Sequence, residues 1–477
     1  MATSLVVARL VGPSVLGTIA YGLAFVSVFT FVCDFGTGTA HMRLIAEGRD
    51  EIECNGTFLQ IKLVLVTAFT LIVIGAFALQ KYYFKIPFES KAHEIIILLY
   101  LIIVTINQLV TILTTHWAAK MEQAKQDIPS FIQTVLYQIL RVILAVIGFK
   151  AIALVVGNLF SVLIILPLYY YIARGMKFGS FNKSLFKEYV TLSLPVIVVI
   201  ICQTLIFSLD KVILQNTSNS KEVGLYSAAF VLGSFVQAIE GSTGLLFFPY
   251  FSKHISLFNW EKVNFTLRKY ERTIFSFVLP IGLAAAVFSD LMISITYGKK
   301  FLGSEQVFSI IIISFLVSLT NLPYINIITG FRLFKIAAWI WVINVLFFLG
   351  FCYVFVSPKM LGLGGRGMAL SLLCTNIVSL AQYQYQIWRR KDINRFPGWS
   401  IVLFNIIYFT AVYLIYSRII SHSILFKLSG FIISLAVFLG LSIILKIVKK
   451  EELKVVLEIV NLEKMKHYIK HEIFKHK

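Results

Sequence analysis

Long apolar runs are the feature that most restricts what this chain can become. They lie near residues 14–33, 57–80, 93–118, 129–149, 151–173, 191–214, 223–250, 272–296, 305–330, 333–356, 366–388, 399–417 and 424–447. About 20 residues rising ~1.5 Å each cross the hydrocarbon core of a bilayer, so each run is of membrane length. Inside lipid the backbone must satisfy its own hydrogen bonds, and continuous runs of this length do so as helices. Membrane barrels are built instead from alternating segments of about ten residues. The sequence therefore predicts an all-α integral membrane protein with 13–14 transmembrane helices. The fourteenth is Met1–Leu10, which reads as the outer half of a first helix. Roughly ten to fifteen further apolar residues are expected ahead of it, since a span needs about 20. Ser4–Leu10 is too short for the apolar core of a signal peptide.

Composition agrees and closes off other classes. Hydrophobic residues make up 58% and charged residues 14%, against about 45–50% and about 25% in soluble domains. The net charge of +20 raises the question of nucleic acid. The cations sit in the turns between apolar runs, at headgroup height, so membrane lipids are the expected partner and nucleic acid is not. The five cysteines (33, 54, 202, 352 and 374) have no metal or redox spacing. They read as small packing residues, and neither metal nor cofactor is predicted. No turn exceeds about 20 residues, which leaves no room for an extramembrane domain. No catalytic constellation stands out, so the chain is read as a protein that is not an enzyme.

Lys and Arg fix the orientation. One set of alternate turns, beginning after the 14–33 run, holds nineteen of them, and the other set holds eleven. The segment after Ile444 adds nine to the first set. The excess puts that set and the C-terminus in the cytoplasm, in a multi-pass protein of the cell inner membrane. Residues 449–477 carry Leu453, Val456, Leu457 and Val460 at helical spacing among lysines. This is a basic amphipathic tail, lying on the inner leaflet or free in solvent.

The chain also repeats itself. Glu240, Thr243 and Gly244 follow Asp34, Thr37 and Gly38 at a shift of 206, and Val223-Gly224 follows Leu16-Gly17 at a shift of 207. Two similar halves are expected, 1–175 and 188–392, with two additional helices in 398–447.

Ionisable groups inside the runs carry the functional argument, because each costs about 2.5–3.5 kcal/mol at mid-helix unless paired or hydrated. Arg141 follows Pro129 by 12 residues, placing it roughly 18 Å into its run. It either faces an aqueous cavity and binds an anion or holds helices together as half of an ion pair. Asp210 and Lys211 are adjacent, so on a helix they point about 100° apart and at least one needs another partner. Arg9 occupies the matching place in the first half. Arg9 and Lys211 either flank one central cavity or snorkel to headgroups. Asp34, Glu240 and Asp290 are the remaining acids, candidates for proton coupling or for helix anchoring. Asn107, Gln108, Gln203, Asn321, Asn326 and Asn376 either line the cavity or bond between helices.

Ala8-Arg9-Leu10-Val11-Gly12-Pro13 with Gly17, the stretch Asp34-Phe35-Gly36-Thr37-Gly38, Ser208-Leu209-Asp210-Lys211 and Val223-Gly224-Leu225-Tyr226 resemble the Wzx-type polysaccharide flippases. These are O-antigen and capsule exporters of the multidrug/oligosaccharidyl-lipid/polysaccharide (MOP) superfamily. The resemblance implies two six-helix lobes in a parallel pseudo-two-fold repeat, plus two C-terminal helices. It further implies alternating access that moves undecaprenyl-pyrophosphate-linked oligosaccharide units across the membrane, with a polysaccharide polymerase and chain-length machinery as partners. A pyrophosphate wants cations, and Arg141, Lys211 and Arg9 are the set on offer. A lipid II flippase and a multidrug or cation antiporter of the same superfamily are the alternatives, and a membrane polymerase or ligase is the enzyme alternative.

Orientation is directly testable. In a variant without native cysteines, Ser180→Cys should resist an impermeant thiol reagent in intact cells, whereas Ser218→Cys should react. Labelling at Ser180 would reverse the assignment.

Overall fold

The computed structural model describes residues 2–390, 393, 398–418, 423–445 and 447 of the 477. The tail 449–477 lies outside the described residues. Eighteen α-helices and no strand occur within them. In the first part of the chain these are α1 (Ala2–Val11), α2 (Pro13–Ser27), α3 (Phe31–Asp34), α4 (Thr37–Ala46), α5 (Glu51–Ala78), α6 (Lys91–Ala119), α7 (Gln123–Val146) and α8 (Ala151–Ile172). Then come α9 (Lys183–Thr217), α10 (Ser220–Ser256), α11 (Trp260–Thr273), α12 (Leu279–Val287), α13 (Ser289–Thr296), α14 (Glu305–Gly330), α15 (Phe334–Val356) and α16 (Gly364–Trp388). The last two are α17 (Trp399–Tyr416) and α18 (Ile424–Ile444).

Among the described residues, eleven helical segments are long and apolar enough to cross a membrane, against thirteen apolar runs in the sequence. The runs at 366–388 and 399–417 make the difference. α16 has the length, but Asn376, Gln382 and Gln384 dilute its apolar character. Those residues are accommodated within the protein, where Gln382 donates to Asn344 and Asn376 to Ser314. The apolar helix at Ser400–Tyr416 is simply short.

Two boundaries move. The first run continues past residue 33, because the chain breaks at Phe35 and Gly36, with φ of 43° and 79°, and resumes as α4. Asp34 therefore ends α3 at a break inside the span rather than at the end of the span. The stretch 253–272, expected as a basic turn, is mostly helix. Only 257–259 turns, and α11 then leads through a π-helical turn at Ile274–Val278 into α12. Asn405 of α17 donates to the Phe275 carbonyl within that turn, the kind of repair a widened helix needs in lipid.

α2 and α10 both begin at the lysine-poor end and cross there. Their contact is backbone on backbone: a Cβ on Gly17 would lie 1.7 Å from the Ser220 carbonyl oxygen, and one on Gly224 1.9 Å from that of Pro13. These two glycines are the pair related by the 207-residue shift. Such small-residue crossings suit lipid, where close packing rather than hydrophobic contrast drives helix association. α10 is buried without interruption from Val223 to Ala229, and exposed residues recur along it from Val231 onward. α14 fills the centre of the second half, against α10, α12 and α16.

The terminal helices are attached by charge as well as by packing. Phe409 of α17 and Phe438 of α18 pack on Ala284 of α12. Asp290 of α13 receives Lys427 Nζ at 2.5 Å and the Tyr416 hydroxyl at 2.8 Å.

Gly17→Ala should lower the unfolding temperature of the purified protein, since the facing atom is a backbone oxygen and overpacking costs about 1–3 kcal/mol. Gly75→Ala, with open space around it, should leave it unchanged. Equal melting of the two variants would show that the crossing does not hold the halves.

Candidate functional site

Two of the candidate cations meet. Arg141 of α7 and Lys211 of α9 line one cavity of about 290 Å³, bounded by α1, α2, α7, α9, α10 and Tyr297. Ser4, Ser27, Ser208 and Ser227 add hydroxyls, and the remaining lining is apolar. No carboxylate lines it.

Arg141 sits at a different depth from the one the sequence suggested. α7 starts at Gln123 and carries Pro129 inside it, so Arg141 lies about 27 Å from the helix start by the ~1.5 Å rise, in the lysine-poor third. It is buried, with Nη1 3.4 Å from Ser4 Oγ and its guanidinium carbon 5.8 Å from the Tyr137 ring centre. Its Nε has no partner, and no carboxylate lies within ion-pair distance among the described residues. A buried cation without a counter-charge is costly in a low-dielectric interior.

Lys211 is satisfied differently. Adjacent side chains leave a helix far apart, yet the flexible lysine stem curls back and sets Nζ 2.9 Å from Asp210 Oδ2. Asp210 is fully buried and also accepts from the Tyr226 hydroxyl at 2.9 Å. The ammonium stands 4.7 Å from the Phe230 ring centre, a distance at which the ring face attracts a cation.

Arg9 is set apart from this cavity. Its Nε donates to the Thr296 carbonyl at 2.8 Å and its Nη2 to that of Ile295. It thus caps the C-terminus of α13, where a helix dipole favours a cation. Lys300 returns the contact by donating to the Leu10 carbonyl at 3.3 Å. Arg9 therefore ties the two halves together at the lysine-poor end.

The acids are dispersed. Asp34 pairs with Lys62 Nζ at 3.0 Å and accepts the Gly36 and Gly38 amides that open α4. Asp290 is held by Lys427 and Tyr416. Glu240, on α10, accepts from Ser318 Oγ at 3.2 Å and from no other group among the described residues. Asn321 and Asn376 join α14 to α16 by hydrogen bonds.

Sequence reasoning missed two sets of residues. Lys62 lies in the middle of α5, 2% exposed; a lysine inside the run 57–80 was signal enough, although its partner was not legible. The second set is a polar latch at the α2–α10 crossing. Glu89 Oε2 accepts from Ser220 N at 2.7 Å, Ser220 Oγ at 2.6 Å and Gln215 Nε2 at 2.5 Å. His93 Nε2 lies 2.9 Å from the same Ser220 hydroxyl. Burial works against ionising Glu89, but the donors from Ser220 and Gln215 outweigh it and hold the carboxyl below its usual range. In sequence Glu89 is one acid in a polar turn, with nothing to mark it.

Solved structures share this bundle of membrane-length helices. A multidrug resistance MATE family transporter of the MOP superfamily, inward-facing, matches at TM-score 0.68 and 14% identity, over 81% of this chain and 94% of that one. The lipid II flippase MurJ, inward closed, matches at 0.67 and 14%, over 93% and 97%. A mutant of the Vibrio cholerae MATE transporter VcmN matches at 0.53 and 12%, over 82% and 99%. At such identities the likeness is one of fold. The chain belongs to the polysaccharide biosynthesis protein family, whose model matches residues 6–306. No curated protein sequence matches it.

Asp34→Asn should destabilise the protein by about 1–3 kcal/mol, below the ~3–5 of a fully buried pair because Asp34 is partly exposed. Adding Lys62→Met should recover most of the loss. Unfolding temperature and membrane abundance read both. A double variant no better than the single would show that the pair is not what holds Asp34.

Proposed function

We propose that this protein is a flippase that moves undecaprenyl-pyrophosphate-linked oligosaccharide units from the inner to the outer leaflet of the cytoplasmic membrane. The observation that carries the reading is the convergence of Arg141 and Lys211, one from each half of the chain, on a cavity beside the α2–α10 crossing. A pyrophosphate held there contacts both halves and relieves the unpaired guanidinium. At about 290 Å³ the cavity is at the lower edge of ligand pockets, which span ~300–1,000 Å³. It takes the charged head, the sugars extending toward the lysine-rich end and the polyprenyl chain remaining in lipid.

In this reading 1–175 and 188–392 are two lobes that rock about the crossing, with 398–447 as accessory helices and the lysine-rich side, including the C-terminus, in the cytoplasm. Contact between repeat-equivalent Gly17 and Gly224 supports an approximate two-fold axis at that point. The Glu89–Ser220 latch and the Arg9 and Lys300 caps then form the outer gate, closed in this structure. Of the candidate coupling acids, Asp34, Asp210 and Asp290 each face a lysine. Among the described residues Glu240 faces a hydroxyl and no lysine, which leaves it, of these four, the candidate to exchange a proton. A cation antiporter is disfavoured, because it needs acids in the cavity and the lining has none. A lipid II flippase shares the chemistry and differs in its sugars. Elongation of glycan by the purified protein would mark an enzyme instead.

Arg141→Ala should cut surface polysaccharide about tenfold or more at unchanged membrane abundance, as a charge-assisted contact of ~1.5–3 kcal/mol implies. Arg141→Lys should keep part of the export and Arg141→Glu none. Full export by the alanine variant at normal abundance would remove Arg141 from the mechanism.

A further inference from the structure

A second cavity, about 1010 Å³, lies beside the crossing at the lysine-poor end, and the transport reading does not use it. Val156, Phe160 and Ile164 of α8 supply part of its apolar wall, and Phe160 and Ile164 are 55% and 57% exposed. At membrane depth that wall continues into the hydrocarbon, so the space is open to an acyl chain from the leaflet on this side.

Its polar end has two charges of opposite sign. Lys150, on the turn between α7 and α8, is exposed and has no carboxylate partner among the described residues. Glu89 is the other. All three hydrogen bonds of the latch fall on its Oε2, and none from the described residues reaches Oε1. That oxygen therefore retains acceptor capacity on a carboxylate already fixed in place. The cavity asks for a ligand with acyl chains, a phosphate for Lys150 and an N–H donor cation for Glu89.

We propose that this cavity is a binding site for one phospholipid with a primary-amine headgroup, phosphatidylethanolamine, its ammonium donating to Glu89 Oε1 and its phosphate facing Lys150. Phosphatidylcholine carries the same charges and cannot donate, because its nitrogen has no hydrogen. Phosphatidylglycerol offers the phosphate alone and sets its charge against the carboxylate. The site also reads the state of the protein. Ser220 comes from the second half of the chain and the rest of the lining from the first, so the cavity is complete only while the halves meet at this end. A lipid that binds the completed cavity favours that state by its differential affinity.

The test is native mass spectrometry of the purified full chain in detergent, with equimolar phosphatidylethanolamine, phosphatidylcholine and phosphatidylglycerol of identical chains. Phosphatidylethanolamine should be retained roughly tenfold over phosphatidylcholine, the weight of one charge-assisted hydrogen bond. Glu89→Gln should reduce it to the phosphatidylcholine level. Lys150→Gln should lower retention of all three, and Val156→Trp, which fills the cavity, should do the same. Lys85→Gln, at the same end but outside the cavity, should change nothing. Equal retention of the amine and choline lipids, preference for phosphatidylglycerol, or an amine preference that survives Glu89→Gln would each overturn the site. Lys150 is exposed, and Glu89→Gln keeps an amide oxygen for the Ser220 and Gln215 donors while removing the second acceptor, so these two variants decide the matter even if Val156→Trp fails to fold. Polysaccharide export is not the readout, so the outcome stands apart from that of the Arg141 series.

Discussion

Much of this molecule depends on one contact, the backbone of α10 laid against α2 at Gly17 and Gly224. With a side chain at either position the helices stand off by a methyl group or more, and what lies beside them changes with that distance. The Glu89 carboxylate reaches Ser220 because the two helix starts are this close. Arg9 and Lys300 exchange caps at the same end. The cationic cavity lies next to the crossing, bounded by both helices, and the larger cavity lies beside it, lined by the first half and completed by Ser220.

Charge in a low-dielectric interior explains the arrangement of the other polar residues. Asp34, Asp210 and Asp290 each sit near a lysine and accept further hydrogen bonds, so each is accommodated locally. The π-helical turn at 274–278 is repaired by Asn405, and the polar stripe of α16 by Asn344 and Ser314. Among the described residues, Arg141 stands out as a buried cation with one long hydrogen bond to a hydroxyl, and Glu240 and the buried Glu271 as acids held by hydroxyls rather than by a cation.

What could be read in advance divides along the same line. The run 129–149 shows a helix and shows Arg141 within it, because the cost of a charge among apolar neighbours is local to that helix. Lys62 was equally visible in the run 57–80. That Lys62 meets Asp34, 28 residues away, was not visible, and neither was the meeting of Arg141 with Lys211. Arg9 looked equivalent to Lys211 from its place in the repeat, yet it caps a helix that the repeat does not mention. Glu89 was invisible because a polar residue in a turn between spans is unremarkable until its partner is known.

The sequence by itself determined the apolar helices and the lysine-bearing turns between them. Each follows from the transfer of residues between water and hydrocarbon, which depends on composition along a single segment. Only the tertiary structure decided which charges face one another, which turns lock the halves together and where the cavities open. Those depend on how each helix is rotated and how closely it crosses its neighbours, and that is set by contacts such as Gly17 on Ser220, between residues some two hundred positions apart.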